Sequence, residues 1–580
     1  MTVGVSYPGV YLSEVQSQSH TIPGVTTSDT AFVDIFPRGP VNVPTRVGSF
    51  GEFTATFGGL TSWSRASYGI YQYFLNGGSR AWVVRVAPGP APDKSKSEKS
   101  SADDSQADKA KAPTTKGTTT PPAPSASVDL KDFKLEAISP GSWGNSLRAA
   151  TQDSKYPPGG DSSPKDGAGK IVIDLVVQET ATNPATGDLS VVASEVYRNL
   201  SLTPGDPNYV EDVIAHKSSL VQVLQGSVTP PAQNPKAAPY DPTKDITSSA
   251  AAGNSNIAWQ AFTEGSDVTT VAASDLIGDP GDPEAGTHPT GMNTLAHIAP
   301  NVFNILCLPA VSQFDPEAMD TWFTPAYKFC EDQRAFLLVD TPATWDGEAP
   351  AKQLSDLQTW FGTNLSNKTD HAAVYFPRLT MPDPTAGGRP VTTEVSGTLA
   401  GIFASTDSSR GTWKAPAGTL AVIAGANPAF DMLDSDNGQL NEQGMNALRT
   451  FPVYGSVVWG ARTARGADQL ESEWKYVPVR RLALYIEDSL FQGTKWAVFE
   501  PNGETLWSSL RLSVGAFMQD LYRQGAFAGT SAKDAYFVQC DATTTSATDQ
   551  ANGIVNVLVG FAPLYPAEFV VLQISQIAAS

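Results

Sequence analysis

Apolar and polar positions alternate most clearly between residues 301 and 376. Three continuous apolar runs, 302–308, 335–340 and 372–376, read as buried strands, and the segments between them, about 316–333 and 351–362, carry helical spacing. Strands alternating with helices imply parallel pairing with right-handed crossovers. A further helix is expected over 395–407. Nearer the N-terminus the pattern is strand (31–35), a turn into a short helix at 48–53, a helix (64–75) closed by Asn76-Gly77-Gly78, and a strand (81–86). Beyond Val128, residues 133–137 and 171–177 read as strand, and Asn208-Tyr209-Val210 heads a helix. Residues 227–290 are rich in Pro, Gly, Ala, Asp and Thr and take no assignment.

The stretch from Trp474 onward has its own pattern. Leu482, Tyr485, Ile486 and Leu490 recur at helical spacing after Arg480 and Arg481. A short strand is expected over 496–499, stopped by the turn Pro501-Asn502-Gly503. A second helix follows over about 505–524, with Leu506, Leu510, Phe517 and Leu521 on one face and Gly525 as its cap. Strand-like runs at 535–540 and 554–561 follow, and after Pro563 and Pro566 an apolar segment, 569–574, closes the chain. A lone terminal strand needs a sheet edge to satisfy its backbone. That edge belongs either to its own domain or to a neighbouring molecule. The segment 9–15 near the N-terminus, with Val10, Tyr11, Leu12 and Val15, has the same strand-like character and the same two readings.

Composition narrows the function. At 580 residues the chain calls for two to four domains, and 41% hydrophobic residues supply real cores. A net charge of -20 speaks against coating nucleic acid. Residues 88–127 lack Val, Ile, Leu, Met and aromatics, so they read as a disordered linker. Cys307, Cys330 and Cys540 are widely separated, which supports neither a disulfide framework nor a zinc knuckle and fits a reducing cytosol. The opening residues lack the pattern of a signal peptide, and no run reaches the length of a membrane helix. A cytoplasmic protein with no direct membrane insertion is expected.

Catalytic and metal-binding patterns do not assemble. None of His20, His216, His288, His297 and His371 stands at ligand spacing from another histidine or a cysteine. Gly167-Ala168-Gly169-Lys170 lacks the Ser or Thr of a phosphate loop and precedes a strand. Asp434-Ser435-Asp436-Asn437-Gly438 hints at a calcium loop but has its glycine misplaced, and reads as a polar turn. Asp340 ends a strand of the parallel set, where catalytic groups often sit, yet before Thr341-Pro342 it reads as the cap of a turn. No cofactor, metal or catalytic residue is assigned, and the chain is read as not an enzyme.

Long words at both ends carry a resemblance. RRLALYIEDSLFQGTKWAVFEPNGETLWSSLR and FMQDLYRQGAFAG in the last domain, with YPGVYLSE, IPGVTTSDTAFVDIFPRGPVNVPTRVGSFGEFTATFGG and YQYFLNGGSRAWVVRV near the start, resemble contractile tail sheath proteins. These are the sheaths of phage tails and of phage-like contractile injection systems. GSWGNSL, RGTWKAPAG and LNEQGMNALRTFPVYGSVVWGARTA are also close to that family, though spacing alone gives Lys414 in the second of them no role. The resemblance implies a multi-domain α/β chain: an α/β central domain, an inserted β-rich domain, and an α+β C-terminal domain carrying extended N- and C-terminal strand arms. The segments are then an N-terminal arm (1–25), the first part of the central domain (26–87), a linker (88–127), an inserted outer domain (128–290), the second part of the central domain (291–462), a C-terminal sheath domain (463–562) and a C-terminal arm (563–580).

The implied function is a structural subunit that stacks in hexameric rings around an inner tube and contracts to drive the tube through a target envelope. Its partners would be further copies of itself, the inner tube protein, and baseplate and terminal cap proteins. A phage-tail-like injection system and a true contractile phage tail share this design. A carboxylate-dependent hydrolase and a soluble adhesion module are the alternatives of other classes. Val10, Tyr11, Leu12, Val15, Phe569, Val571, Leu572 and Ile574 are expected to enter neighbouring sheets, with Tyr536, Val538, Val555 and Val557 on the receiving strands. Lys475, Arg480, Arg481 and Lys495 form a local excess of positive charge in the domain that the resemblance places nearest the tube. They either face the tube or pair within the subunit, with Glu473, Glu487 and Asp488 as the nearby acids.

Overall fold

The computed structural model describes residues 20–88, 123–154, 172–183, 186–229, 246, 257–299, 302–365 and 368–571. The expected strand at 9–15, most of the linker at 88–127, the Gly167–Lys170 run and residues 572–574 lie outside the described residues. At the linker's far end, Ala123 and Ala126 are buried and the strand Ser127–Leu130 has already begun. The chain forms two compact units: residues 1–31, 72–81 and 298–580 make one, and 32–71 and 82–297 the other.

The first unit contains strands Ile305–Cys307, Phe336–Val339, Ala372–Phe376, Asn446–Phe451 and Gly455–Val458, hydrogen-bonded in that order. The first four run parallel, with Leu306 opposite Leu337, Leu338 opposite Ala373 and Tyr375 opposite Asn446; the last pair is antiparallel. Every residue of the first three strands is buried, as a parallel sheet covered on both faces requires. Helices Phe323–Gln333 and Pro350–Asn364 make the crossovers.

Three elements here depart from the sequence reading. The first strand is shorter than 302–308, because the Asn304 and Ile305 amides donate to the Asp29 carbonyl. The helix expected over 316–333 is a 3₁₀ segment, Pro316–Thr321, followed by an α-helix from Phe323. Pro325 has no N–H to give the Thr321 carbonyl, so one continuous α-helix cannot form there. The expected polar turn at 434–438 is the first half of the helix Asp434–Gln443. Asp434 and Asp436 favour its N-terminus, and Gly444 at φ +91° ends it.

Asp340 does not cap its own turn. Its Oδ1 accepts from the amides of Val395 (2.8 Å) and Ser396 (2.9 Å), and its Oδ2 from the Ser396 hydroxyl (2.5 Å), so it caps the helix Ser396–Arg410 across the fold. Burial, then the nearby Glu394 carboxylate, pushes its carboxyl up to about 6. Arg378, also buried, pairs with Glu394 at 2.9 Å and Asp346 at 3.0 Å.

The second unit is mostly antiparallel. One sheet orders strands Gln260–Ala261, Leu147–Asp153, Val172–Thr182 and Leu189–Ser201; another orders Ser127–Leu130, Phe133–Ala137 and Val221–Val223. Phe133, Leu135, Leu147, Leu175, Val210 and Phe262 belong to one core, which takes in the helix Val210–Lys217. In the same unit the helix Phe50–Phe57 is capped reciprocally: Ser49 Oγ accepts from the Glu52 amide and the Glu52 carboxylate accepts from the Gly48 amide. Arg85 is buried and donates to the carbonyls of Phe36, Pro37, Gly39 and Pro140.

Candidate assembly surface

The last hundred residues build a platform from two helices and a small sheet. Helix Val477–Gly493 begins with Pro478 in its first turn, where a missing N–H costs nothing. Its buried Leu482 and Ile486 share a core with Val514, Phe517, Met518 and Leu521 of helix Glu504–Arg523. Strands Tyr536–Gln539 and Leu558–Phe561 pair antiparallel, Tyr536 opposite Phe561 and Val538 opposite Val559. These four residues pack against that core. Phe537 and Leu558 point the other way, each 52% exposed. Among the described residues this sheet has two strands, and just past the second of them Phe527 bridges Pro563 and the Ala528 amide donates to the Ala562 carbonyl. Val555 and Val557, expected on the second strand, precede it. They line an apolar cleft of about 850 Å³ with Leu490, Phe491, Leu506 and Leu510. The strand expected over 496–499 is absent too: Lys495–Ala497 is a 3₁₀ turn, and Phe499 stands fully exposed at φ +72°.

Described residues near each end of the chain are held by contacts. The His20 ring stacks on Trp496 at 3.9 Å, and its amide donates to Ser513 Oγ at 3.1 Å. Ile22 enters the helix core over Gly493, where an added Cβ would come within 2.4 Å of it. At the other end Arg462, with a fully buried side chain, holds Glu568 through Nε at 2.8 Å and Nη2 at 2.5 Å. Past that anchor Phe569, Val570 and Val571 are 76%, 80% and 82% exposed and lie in no strand. Val10, Tyr11, Leu12, Val15, Leu572 and Ile574 lie outside the described residues.

A second cleft, of about 700 Å³, opens between residues 410–418 and 564–569. Trp413, Trp459 and Tyr565 line it, together with Arg410 and Lys414. Lys414 Nζ donates to the carbonyls of Ala415 (2.7 Å) and Ala417 (3.3 Å).

Residues 470–577 match the family described as phage tail sheath C-terminal domain. A putative prophage major tail sheath protein of Pseudomonas aeruginosa (strain UCBPP-PA14) is 30% identical over 219 residues, 35% of this chain and 54% of that one. The tail sheath protein of Vibrio phage KVP40 is 29% identical over 133 residues, 23% of this chain and 19% of its own. The chain thus spans about half the length of the first of these relatives and about a fifth of the second. Over 99% of both chains it superposes on a sheath from an extracellular contractile injection system in the contracted state, with a TM-score of 0.52 at 19% identity. A sheath tail protein of Listeria innocua gives a TM-score of 0.54 at 12% identity, over 94% of this chain and 96% of that one. The chain has the tail sheath fold.

The four cations singled out in the sequence do not form one free patch. Arg481 is 3% exposed, pairs with Asp407 at 2.6 Å and donates to the Thr27 carbonyl at 2.8 Å. Arg480 pairs with Asp370 at 3.0 Å and stacks over Trp474. Burial pushes the Asp370 carboxyl up, but His371 and Arg480 outweigh it and hold it below its usual range. Lys475 pairs with Asp468 at 2.5 Å. Lys495 is exposed and donates to Gln492 at 2.7 Å. Internal pairing therefore holds for three of the four, with Asp370, Asp407 and Asp468 as the close partners. Of the nearby acids expected, Glu487 stands 3.9 Å from Arg480, and Asp488 pairs instead with Arg334 at 3.5 Å. Arg462 was not singled out in the sequence, and its neighbours there give no sign that Glu568 is its partner.

No three His, Cys, Asp or Glu side chains among the described residues gather as a metal site, and no described helix is long and apolar enough to cross a membrane.

Proposed function

We propose that this chain is the structural subunit of a contractile sheath, stacked in hexameric rings around an inner tube within a phage-tail-like contractile injection system. The observation that carries this is the C-terminal tail. A buried Arg462–Glu568 anchor is followed by the exposed apolar residues 569–571, in a stretch that matches sheath C-terminal domains and carries a sheet of two strands among the described residues. Such a tail and such a sheet complement each other when copies exchange strands. In this reading both terminal segments are arms entering neighbouring copies. Tyr536 and Val538 lie on the receiving side, and Val555 and Val557 line the adjoining cleft. Four to six backbone hydrogen bonds per arm, at about 0.5 to 1.5 kcal/mol each, give several kcal/mol per junction. Inner tube, baseplate and terminal cap proteins are the further partners.

Negative-stain microscopy of the chain with its tube protein tests the reading. Tubes of uniform diameter are expected from the full chain, and none from a chain lacking residues 1–20 that still folds. Normal sheaths from that truncation would overturn arm exchange. Protease trimming within residues 88–127 should leave assembly intact. The phage and prophage relatives favour a second reading, the sheath of a true phage tail. Capsids attached to the native particles would decide for it.

A further inference from the structure

The apolar cleft of about 850 Å³ in the C-terminal platform adjoins the point where the chain enters it. His20, the first described residue, stacks on Trp496. Trp496 packs in one cluster with Ala497, Leu506, Leu510 and Val555, and these four also line the cleft. Phe491, Val498 and Val557 of the same lining are exposed. Beside them Lys495 lies over the Phe491 ring and donates to Gln492, and among the described residues it meets no carboxylate at ion-pair distance. The sequence before His20 supplies what this cleft lacks. Within residues 1–19 the sole charged side chain is Glu14. In an extended segment Val10, Leu12 and Glu14 fall on one face. Val15 is five positions from His20, so it stands at most about 18 Å from it.

We propose that in the free subunit this cleft holds the chain's own residues 9–15, with Val10 and Leu12 against Val555 and Val557, and Glu14 against Lys495. The proposal rests on the arm-exchange reading above and adds the state of the arm before assembly. An apolar arm and an apolar cleft left open on one subunit would join copies without a tube. The tether between them, residues 16–19, is short and polar. It sets the arm at an effective concentration on the order of millimolar at its own cleft. Dilute copies lose that competition, so the arm stays at home until a ring presents neighbouring subunits at comparable effective concentration.

The test is a cross-link in the free, full-length subunit at a concentration where it is monomeric. Under a mild copper oxidant, Leu12→Cys with Val557→Cys should form a disulfide within one chain, read as a monomer of altered mobility on a non-reducing gel. Cys307, Cys330 and Cys540 are all buried and stay out of the reaction. The cross-linked subunit should not assemble until it is reduced. A second measurement needs no new cysteine. A glutamate-specific protease should cut after Glu14 at least about tenfold faster in Val557→Asp than in the parent, since cleavage follows the population of the open arm. Lys495→Glu should speed the same cut, and thermal unfolding of both variants should match the parent. Cross-links only between chains, no cross-link, or equal cleavage of parent and Val557→Asp overturns the proposal. A disulfide from Ile574→Cys to Val557→Cys in its place assigns the cleft to the C-terminal segment and also overturns it. A cross-linked chain that still assembles would sink arm exchange and leave this internal contact standing.

Discussion

The central parallel sheet and the C-terminal platform treat apolar surface in opposite ways. Every residue of Phe336–Val339 and Ala372–Phe376 is buried, and Asp340, Arg378 and Glu394 turn inward onto hydrogen-bonding partners. The platform buries one face of its small sheet and leaves Phe537, Leu558 and the tail 569–571 in water. The first region spends its hydrophobic surface on folding the subunit. The second leaves apolar side chains exposed, and larger exposed apolar patches mark association sites. Mutations in the two regions should therefore read out in different assays.

The largest contrast is between two phenylalanines. Phe336→Ala should destabilise the free subunit by about 3 to 5 kcal/mol, seen as a drop in thermal unfolding temperature. Phe537→Ala should stay within about 0.5 kcal/mol of the parent in that assay and lower sheath yield instead. Equal destabilisation by both would erase the distinction. Arg481→Leu comes next: it leaves Asp407 buried without its partner, a loss of about 3 to 5 kcal/mol. That loss appears in the isolated subunit without any tube. If Arg481→Leu folded normally and failed only on tubes, the buried-pair assignment would be wrong.

Protonation probes the central region more gently. The folded-state pKa of Asp340, about 6, lies above the unfolded value of about 3.9, so folding favours its protonated form. The resulting stabilisation is complete below about pH 4 and is lost as pH rises through about 6. Each pKa unit is worth about 1.4 kcal/mol, which bounds the effect at about 3 kcal/mol. Chemical denaturation at pH 5 and pH 7 should show part of that gain at the lower pH, against the other carboxylates. Asp340→Asn should remove the Asp340 share. An unchanged pH slope in the variant would dissociate Asp340 from it.

What could be read from the sequence follows the range of the interactions involved. Ala372–Phe376 was legible because a strand buried on both faces is a continuous apolar run. Helix Glu504–Arg523 was legible because its buried Leu506, Leu510, Phe517 and Leu521 keep a helical period. Helix Asp434–Gln443 was not, since Leu440 is its one buried residue and it has no apolar stripe. Residues 496–499 have the aromatic and β-branched content of a strand but no partner to pair with. The charge cluster misled for a further reason. Arg480 and Arg481 are neighbours in sequence, yet their carboxylates, Asp370 and Asp407, lie 110 and 74 positions away. The tail sheath resemblance was legible from long words at both ends, while Glu568 as the partner of Arg462 had no sequence signal at all.

The smallest expected effect sits on the platform's rim. Phe499 is fully exposed and holds φ at +72°, a left-handed conformation that costs a side chain with a Cβ about 1 to 2 kcal/mol. Glycine adopts it freely but loses more backbone entropy on folding, about 0.5 to 1 kcal/mol. The difference leaves Phe499→Gly more stable than the parent by up to about 1.5 kcal/mol. No buried contact is lost to offset the gain, because among the described residues the ring is fully exposed. Phe499→Val should move the other way, since a β-branched side chain tolerates positive φ worse than phenylalanine does. Urea unfolding of the free subunit resolves both, with the glycine variant's midpoint above the parent's and the valine variant's below. A lower midpoint for Phe499→Gly would mean the ring is held by contacts within the subunit, and the platform's rim would then resemble the central sheet in keeping its apolar surface for folding.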